Sequence, residues 1–492
     1  MLLCISLLIA FGMGFSTCWI LRSPFHPLRR ELPLLAFLSV GLGLGASSLW
    51  FFLWLVIFGG HRDALITSEI CILAILVGLA YARARRSKPL FSQPIQEPRS
   101  RWRCLLVAPV VIALVAAAVA FSRYSAAAPH GSWDAWGAWN LRARFLYLGG
   151  THWRDVFSPL GTMPHRDYPL LLSATVARCW TYLQSDSPRA PIAIAFLFTF
   201  ATAGALFCSL ALLRSCSQGL IAALILLATP FFLVLGSAQY ADLPLSFFFL
   251  STIVLLCWHG HSPTPKGTLS LAGAMAGLAV WTKNEGALFL LCLLLSHFAF
   301  TVRVRGWKSY RHELLPLVAG LLPVLVVVAF FKLHFAWHTE FVDTYGLFHR
   351  LRDFPRYKTV VSAIGSGLLH FGAWPLSIPP FLIAYVLLLG LQKQANRLAA
   401  NIGLATVALT ALGYFFVYVT TQLPLQWLLL TSLPRLCIQL YPSAIFLIFF
   451  LSRTPEEALG GSSNPGEKDR NHAGVRALVQ YTACPKQSPK SR

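Results

Sequence analysis

The sequence is poor in charge, and above all in acidic residues. Only 12% of its 492 residues are charged, with 18 acidic against 40 basic side chains, whereas charged residues make up about a quarter of a soluble domain. Hydrophobic residues account for 56%, and the mean hydropathy is +0.64. These values exclude an ordinary soluble domain. They predict an all-α protein that crosses a membrane many times.

Several common functional signatures are also missing. No Gly-rich phosphate loop, heptad pattern or tandem repeat occurs, which argues against nucleotide hydrolysis by this chain. Most of the 11 cysteines lie inside apolar runs, and none shows C-x-x-C spacing, so we expect no disulfide framework and no cysteine metal site. The net charge of +22 is scattered, without a basic arm, so we predict no nucleic-acid partner. The excess of Lys and Arg suits membrane topology and binding to lipid headgroups.

Apolar runs of the length of one helical crossing predict about 13 transmembrane helices. The predicted spans are 2–21, 32–58, 66–82, 104–122, 191–213, 218–236, 243–258, 268–282, 286–302, 313–333, 368–390, 399–420 and 434–452. The most basic linkers follow the first, third, ninth and eleventh spans, and the positive-inside rule assigns them to the cytoplasm. The polar segments that then fall on the extracytoplasmic face are 123–190, 237–242, 283–286, 334–367 and 421–433.

Composition divides the chain into three parts. Residues 1–103 hold three additional spans and a basic cytoplasmic loop, and residues 104–452 form the membrane core. The core includes the long polar loop 123–190. Residues 453–492 are rich in Ser, Pro, Gly and charge, and they are predicted to be a disordered cytoplasmic tail.

The loop 123–190 carries the strongest candidate for chemistry. Near its start, Asp134 lies between two tryptophans in Ser132-Trp-Asp-Ala-Trp136. A carboxylate beside cations at a lipid–water boundary can act as a general base, and the cations can hold a phosphate. Asp134 can equally cap a helix whose tryptophans form an aromatic belt, and the residues alone leave both interpretations open. A helix starting here would place four side chains on one face: Trp133, Trp136, Asn140 and Arg144.

The same loop is rich in arginine and contains no lysine. Guanidinium groups suit planar recognition of phosphate oxygens, although solvated surface charge is the ordinary role of most such side chains. We expect two or three of them to touch a substrate. The loop arginines are Arg123, Arg142, Arg144, Arg154, Arg166, Arg178 and Arg189.

Two further polar elements allow more than one interpretation. His165-Arg-Asp-Tyr-Pro169 precedes Leu170-Leu-Leu-Ser173, which is predicted to form a surface helix that re-enters the membrane plane. The alternative is a plain turn with Pro169 at a helix start. Asp242, followed by Pro244, either caps a helix or adds a second carboxylate on the face of Asp134.

Charge also occurs near the ends of two late spans. Lys283-Asn-Glu-Gly286 places an ion pair within membrane depth, which is costly unless it lines a cavity or binds a ligand. A snorkelling lysine in a capped turn is the simpler alternative. Arg435, at the outer end of the last span, is either a snorkelling side chain or a partner for a lipid phosphate.

The segment 334–367 contains residue types that bind metals, including His334, His338 and Glu340. Their irregular spacing does not match a metal-ligand pattern. We therefore predict no metal site and no cofactor; a divalent metal ion is possible but not favoured.

Four short motifs, in this order and on one face, resemble the GT-C membrane glycosyltransferases, in particular the branch of the protein O-mannosyltransferases and the lipid A aminoarabinose transferase. They are Trp133-Asp-Ala-Trp136, Asp167-Tyr-Pro-Leu170, Tyr240-Ala-Asp-Leu-Pro-Leu245 and Lys283-Asn-Glu-Gly286. The resemblance covers 104–450. It implies a GT-C-like enzyme with a helical first extracytoplasmic loop, which moves a sugar from a polyprenyl-phosphate carrier to a glycolipid, glycan or protein acceptor. The active site would lie on the extracytoplasmic side of a cell membrane, most simply a bacterial inner membrane.

Site residues follow from the resemblance together with the polar pattern. Asp134 would deprotonate the acceptor hydroxyl. Donor-phosphate contacts are predicted at Arg142, Arg144, His165, Arg166, Lys283 and Arg435. Cavity or substrate contacts are predicted at Trp133, Trp136, Asn140, Asp167, Tyr168, Asp242, Asn284 and Glu285. Ala135 stands where many members have a second acidic residue, which favours a metal-independent inverting displacement.

Two other functions share some of these features. A transporter or flippase of a lipid-linked sugar would also need cations near the membrane, but it predicts inverted repeats and interrupted helices in matching halves, which the sequence does not display. A polysaccharide ligase or polymerase usually carries its large functional loop late in the chain and not at 123–190. We therefore predict a glycosyltransferase and keep both functions as alternatives.

Overall fold

A computed structural model describes residues 1–22, 28–59, 61–86, 101–158, 165–261, 266–336, 346–374, 378–392 and 397–459. In these ranges the chain is helical, and its only β pairing is an isolated bridge between Leu391 and Ser452. An apolar segment in a membrane folds this way because a helix satisfies its backbone hydrogen bonds internally. The prediction of an all-α protein is confirmed.

The first nine helices are α1 (Leu2–Leu21), α2 (Leu28–Phe58), α3 (Arg62–Arg86), α4 (Arg101–Ala127), α5 (Asn140–Leu148), α6 (Leu171–Leu183), α7 (Arg189–Leu213), α8 (Cys216–Leu227) and α9 (Pro230–Ser237). The remaining nine are α10 (Asp242–His261), α11 (Lys266–Thr282), α12 (Asn284–Phe335), α13 (Leu347–Leu351), α14 (Phe354–Leu369), α15 (Ile378–Leu389), α16 (Arg397–Thr420), α17 (Leu425–Leu451) and α18 (Pro455–Leu459). A π-helical turn, Ala135–Trp139, leads into α5, and a 3-10 helix, Gly150–Phe157, follows it.

Among the described residues, nine helices are long and apolar enough to cross a membrane. The count rises to eleven if each of two bent pairs is one span; one of these pairs is α8 with α9, which meet at 66°. The predicted count of thirteen is not confirmed. One reason is that α11 has 17 residues, and another is that the predicted spans 286–302 and 313–333 both fall within α12, which this count takes as one helix.

The long helix α12 consists of two arms. Its backbone is non-helical at Gly306, where φ is 81° and ψ is 171°. Glycine adopts this conformation without steric cost. Beyond Gly306 the chain runs back, so that Lys332 Nζ lies 2.8 Å from Asn284 Oδ1 near the start of the same helix. Both ends of α12 therefore reach the same side of the bundle.

Among the described helices that are long enough to cross a membrane, α10 is the most deeply buried. Every residue from Asp242 to Trp258 is buried, and the helix packs against α2, α7, α9, α11, α16 and α17. Asp242 is its first residue. A carboxylate therefore stands at the end of the central helix, where it requires compensating charge.

The polar loop after α4 is packed against the bundle. All residues of α6 from Leu171 to Tyr182 are buried, and α6 contacts α1, α2, α3, α5, α7 and α11. The prediction of a surface helix after Pro169 is therefore wrong. The helix is buried because α1–α3, together with α5, α7 and α11, pack around it, and its own sequence does not indicate these tertiary contacts.

The N-terminal helices α1–α3 pack closely on one another and on the rest of the chain. A Cβ atom at Gly43 would lie 1.9 Å from the carbonyl oxygen of Ala10, so only glycine permits this approach of α2 to α1. α2 also packs against α7, and α1 against α11. At the other end of the chain, α18 follows the last span, and residues 460–492 of the predicted tail lie outside the described residues.

Candidate active site

Asp134 lies in the first helical turn of the loop, with φ −66° and ψ −27°. Its side chain makes no capping hydrogen bond. Instead, its Oδ2 atom lies 2.7 Å from Nη1 of Arg435, and both side chains are partly exposed. The backbone N–H of Asp134 donates to the hydroxyl of Tyr240 at 3.3 Å. The helix-cap interpretation therefore does not hold, and the carboxylate faces a cation from α17.

Arg435 binds a second carboxylate with the rest of its guanidinium group. Its Nε and Nη2 atoms donate to Asp242 Oδ2 at 3.1 and 2.9 Å. Its carbon Cζ also lies 4.5 Å from the centre of the Tyr240 ring. Because one planar group spans two carboxylates, Arg435 fixes the position of Asp134 relative to α10.

The second oxygen of Asp242 is also fully used. Oδ1 accepts hydrogen bonds from Lys283 Nζ at 3.0 Å and from Gln439 Nε2 at 2.6 Å. Gln439 in turn accepts a hydrogen bond at 2.6 Å from the hydroxyl of Tyr414. Asp242 is fully buried, and these donors replace the water that it loses.

Lys283 lies in the turn between α11 and α12, and its Nζ atom also lies 2.8 Å from Glu285 Oε1. The turn is tight, because a Cβ at Gly286 would lie 2.0 Å from the carbonyl oxygen of Ala279. Burial lowers the pKa of the Lys283 ammonium, but Asp242 and Glu285 more than offset burial and raise its pKa above the ordinary value. Lys283 is therefore charged at neutral pH.

These side chains form what we call the ion cluster: Asp134, Asp242, Lys283, Glu285 and Arg435. They come from the loop, from α10, from the turn before α12 and the first turn of α12, and from α17. The structure thus joins residues that the sequence separates by up to 301 positions and that were predicted to share one face.

A neighbouring group ties the far end of the loop to α12. Asn284 Nδ2 donates to Asp167 Oδ2 at 2.6 Å, and Lys332 Nζ donates to the carbonyl oxygen of Asp167 and to Asn284 Oδ1. The ring of Tyr168 lies 5.6 Å from Lys283 Nζ, which connects this group to the ion cluster. The predicted residues Asp167, Tyr168 and Asn284 thus lie beside the cluster.

Arg142 is buried and supports the turn that contains His165. Its Nη1 and Nη2 atoms donate to the carbonyl oxygens of Tyr168 and His165 at 2.9 and 2.5 Å. Burial lowers the pKa of Arg142 to about 10, although Asp167 and Tyr168 act in the opposite direction. Both terminal nitrogens of Arg142, a residue predicted to bind phosphate, are therefore directed at backbone carbonyls.

His165 has a positive φ of 56°, and its ring stacks on that of Tyr168 at 4.7 Å. Burial, and secondarily Lys283, lower the pKa of His165. The imidazole is therefore neutral at pH 7. It can exchange hydrogen bonds with a substrate but does not supply positive charge.

A polar contact also holds the start of the loop against the turn before α10. Asn140 Nδ2 donates to Gln239 Oε1 at 2.8 Å, and Gln239 Nε2 donates to the carbonyl oxygen of Pro129 at 3.0 Å. Gln239 has a φ of 61°, a conformation that few non-glycine residues adopt. Asn140 thus positions the loop near Asp134.

The remaining predicted residues make contacts of other kinds. Arg144 pairs with Asp186 at 3.2 Å, and Arg166 Nη1 donates to the carbonyl oxygen of Ser158 at 2.6 Å. Trp133 and Trp136 are exposed, with ring centres 4.6 Å apart. The described contacts do not bring Arg144, Trp133 or Trp136 to the ion cluster.

Sequence reasoning missed three residues of this site: Lys332, Tyr414 and Gln439. Gln439 follows Arg435 by one helical turn, a spacing that places both on one helix face and that could have identified it. Lys332 is a cation near the end of an apolar span, and such a cation is weak evidence of a functional site. Tyr414 carries no signal, because it lies in a continuous apolar run.

No group of three or more His, Cys, Asp or Glu side chains is placed to hold a metal ion in the part of the chain that the structure describes. His338 and Glu340, two of the residues considered for a metal, lie outside that part. Metal independence stays a prediction.

Residues 167–331 match a family profile, that of the dolichyl-phosphate-mannose-protein mannosyltransferases. The matched segment includes Asp167, Asp242 and Lys283, and it ends before Arg435. No curated protein and no solved structure matches the chain. The family match supports the GT-C superfamily, and together with the many apolar helices it indicates a transmembrane glycosyltransferase.

Proposed function

We propose that this protein transfers a sugar from a polyprenyl-phosphate donor to an acceptor hydroxyl on the extracytoplasmic side, with Asp134 as the general base. The observation that carries the proposal is the geometry of the ion cluster. A partly exposed carboxylate lies 2.7 Å from a partly exposed guanidinium group, next to a buried network that holds both in place. This arrangement places a carboxylate that can act as a base beside a guanidinium group that can bind a phosphate.

The chemistry requires little else. The acceptor oxygen forms a bond to the anomeric carbon while the bond from that carbon to the phosphate oxygen breaks, and the electron pair leaves with the phosphate. The acceptor proton passes to Asp134. Polyprenyl phosphate departs with one additional negative charge, so it needs electrostatic stabilisation and no general acid. Because the acceptor oxygen attacks from the side opposite the departing phosphate, a single displacement inverts the configuration at the anomeric carbon.

Arg435 is suited to couple donor binding to the base. In the structure its Nη1 is directed at Asp134, whereas Nε and Nη2 are held by Asp242. A donor phosphate that accepts a hydrogen bond from Nη1 would compete with Asp134 for this cation. The carboxylate released from Arg435 would then be free to accept the proton of the acceptor hydroxyl.

The extracytoplasmic placement is supported by charge. Apart from Arg435, which lies ten residues into α17, the ion cluster draws its residues from segments at the ends of spans opposite to the basic linkers, which the positive-inside rule assigns to the cytoplasm. The acceptor class, whether glycolipid, glycan or protein, belongs to the same proposal, as does a metal-independent reaction.

The experiment is an assay in proteoliposomes supplied with a polyprenyl-phosphate sugar and candidate acceptors. Asp134→Asn should lower the rate of transfer by about 10²- to 10⁴-fold, the usual contribution of a general base, and should retain donor binding. Asp186→Asn is the matched control, because Asp186 is a loop carboxylate paired with Arg144 and should keep near wild-type activity.

Two results would contradict the proposal. Full activity of the Asp134→Asn variant would remove Asp134 from the mechanism. Movement of intact donor across the bilayer without a transfer product would instead support a lipid-linked sugar flippase.

A further inference from the structure

A second buried ion pair lies between the loop and the N-terminal helices. Arg178 donates from Nε to Glu69 Oε1 at 2.6 Å and from Nη2 to Glu69 Oε2 at 2.7 Å, and both side chains are fully buried. Nη2 also donates to the carbonyl oxygen of Ser6 at 3.1 Å, and the hydroxyl of Tyr182 donates to Glu69. We call Glu69 and Arg178 the α6 pair, because it joins α6 to α3 and α1.

Stability alone does not account for such a pair. Removing two charges from water is expensive, and replacing a buried ion pair by apolar residues of similar volume is often neutral or stabilising. A bidentate pair instead supplies defined geometry, since both donors meet both oxygens in only one alignment of the two helices. Apolar packing by itself tolerates rearrangement more easily.

The alignment of α6 matters because of what precedes it. Asp167 and Tyr168 lie just before its first residue, and they contact Asn284, Lys332 and Lys283 beside the ion cluster. From Leu171 to Arg178 the helix rises about 10 Å as a rigid unit. A displacement of α6 at Arg178 would therefore be passed to Asp167 and Tyr168.

We infer that Glu69 and Arg178 are positioning residues that fix α6 against α1 and α3 and thereby hold Asp167 and Tyr168 beside the ion cluster. The three N-terminal helices, which lie outside the segment that matches the family profile, then set the geometry of the site. The inference rests on the proposed sugar transfer for its kinetic readout.

The test is the double variant Glu69→Leu/Arg178→Met, which removes both charges and retains apolar volume. We expect a thermal midpoint close to that of the wild type and a kcat lower by about ten- to hundredfold, the effect of a misplacement near 1 Å. The KM for the donor should change much less than kcat, because Arg435 and Lys283 are untouched. Glu69→Asp is a second variant, which keeps the charge and should fold. Its loss of kcat should be several-fold smaller than that of the double variant.

Glu31→Gln is the matched control. Glu31 is also a buried acidic residue of the N-terminal helices, but it lies near the start of α2 and its cation is Arg22, at 3.8 Å. It should leave kcat unchanged. A folded double variant with wild-type kcat would contradict the positioning role of Glu69 and Arg178 without contradicting the proposed function.

A second readout does not depend on activity. Amide hydrogen exchange should become faster at Asp167 and Tyr168 in the double variant and stay unchanged in Glu31→Gln. If the wild type transfers no sugar, the proposed function fails, and exchange still decides the inference: unchanged protection at Asp167 and Tyr168 would contradict it.

Discussion

The ion cluster and the α6 pair differ in their access to solvent. In the ion cluster, the side chains of Asp134 and Arg435 keep 24% and 19% of their exposure, whereas Glu69 and Arg178 of the α6 pair have none. Both groups are paired and both lie among apolar helices, so pairing and burial do not by themselves identify a substrate site. Access to solvent is a further requirement, because a substrate must be able to reach the charged atoms.

The two groups also differ in how their charges are shared. Arg435 serves Asp134 and Asp242, and Lys283 serves Asp242 and Glu285, so the ion cluster contains cations with more than one carboxylate partner. Among the described contacts, Arg178 has a single carboxylate partner. A cation with two partners can exchange one of them for a phosphate and remain paired. The ion cluster is therefore suited to binding and the α6 pair to alignment.

Arg435→Lys tests whether the ion cluster binds the donor, and its effect should be larger than those of substitutions at Arg144, Gln439 and Tyr414. An ammonium group cannot span both carboxylates as the planar guanidinium group does. We expect kcat/KM for the polyprenyl-phosphate sugar to fall by about 100-fold, in the range seen when one electrostatic donor is removed from an active site. Steady-state kinetics in proteoliposomes would measure it.

Arg144→Lys is the control for this variant, because Arg144 lies in the same loop as Asp134 but pairs with Asp186 in an exposed position. It should change kcat/KM by less than about twofold, as is usual for surface pairs. Equal losses in both variants would show that the shared guanidinium of Arg435 has no special role.

A smaller effect is expected for Gln439→Leu, which removes a donor to Asp242 and leaves the Tyr414 hydroxyl without its acceptor. Loss of hydrogen bonds around a buried carboxylate should cost about 1–3 kcal/mol of stability. Tyr414→Phe removes only the outer hydrogen bond and should cost about 1 kcal/mol. Thermal unfolding in detergent would rank the two, and the reverse order would contradict the proposed chain of contacts to Asp242.

Much of the ion cluster could be predicted from the sequence. Polar residues are rare in this chain, so Asp134, Asp242, Lys283 and Arg435 stand out against apolar runs, and the distribution of basic linkers assigns them to one face. Their mutual pairing is what the structure adds. It also turns Asp134 from a possible helix cap into a carboxylate bound by Arg435.

Other features could not be predicted, because they depend on tertiary contacts. Glu69 and Arg178 are 109 positions apart, and no local pattern links them. Arg142 has the right chemistry for a phosphate, yet its donors serve carbonyl oxygens of the loop, and a sequence does not reveal where a guanidinium group is directed. The burial of α6 was missed for the same reason, since helices distant in sequence, α1–α3 and α11 among them, pack around it.

The most direct test of the central claim is the anomeric configuration of the product. Purified protein in proteoliposomes would be given a polyprenyl-phosphate sugar of known configuration, and the transferred sugar would be examined by NMR. A single displacement with Asp134 as base predicts that the configuration is inverted. Retention would contradict it, because retention requires two successive displacements or a different mechanism.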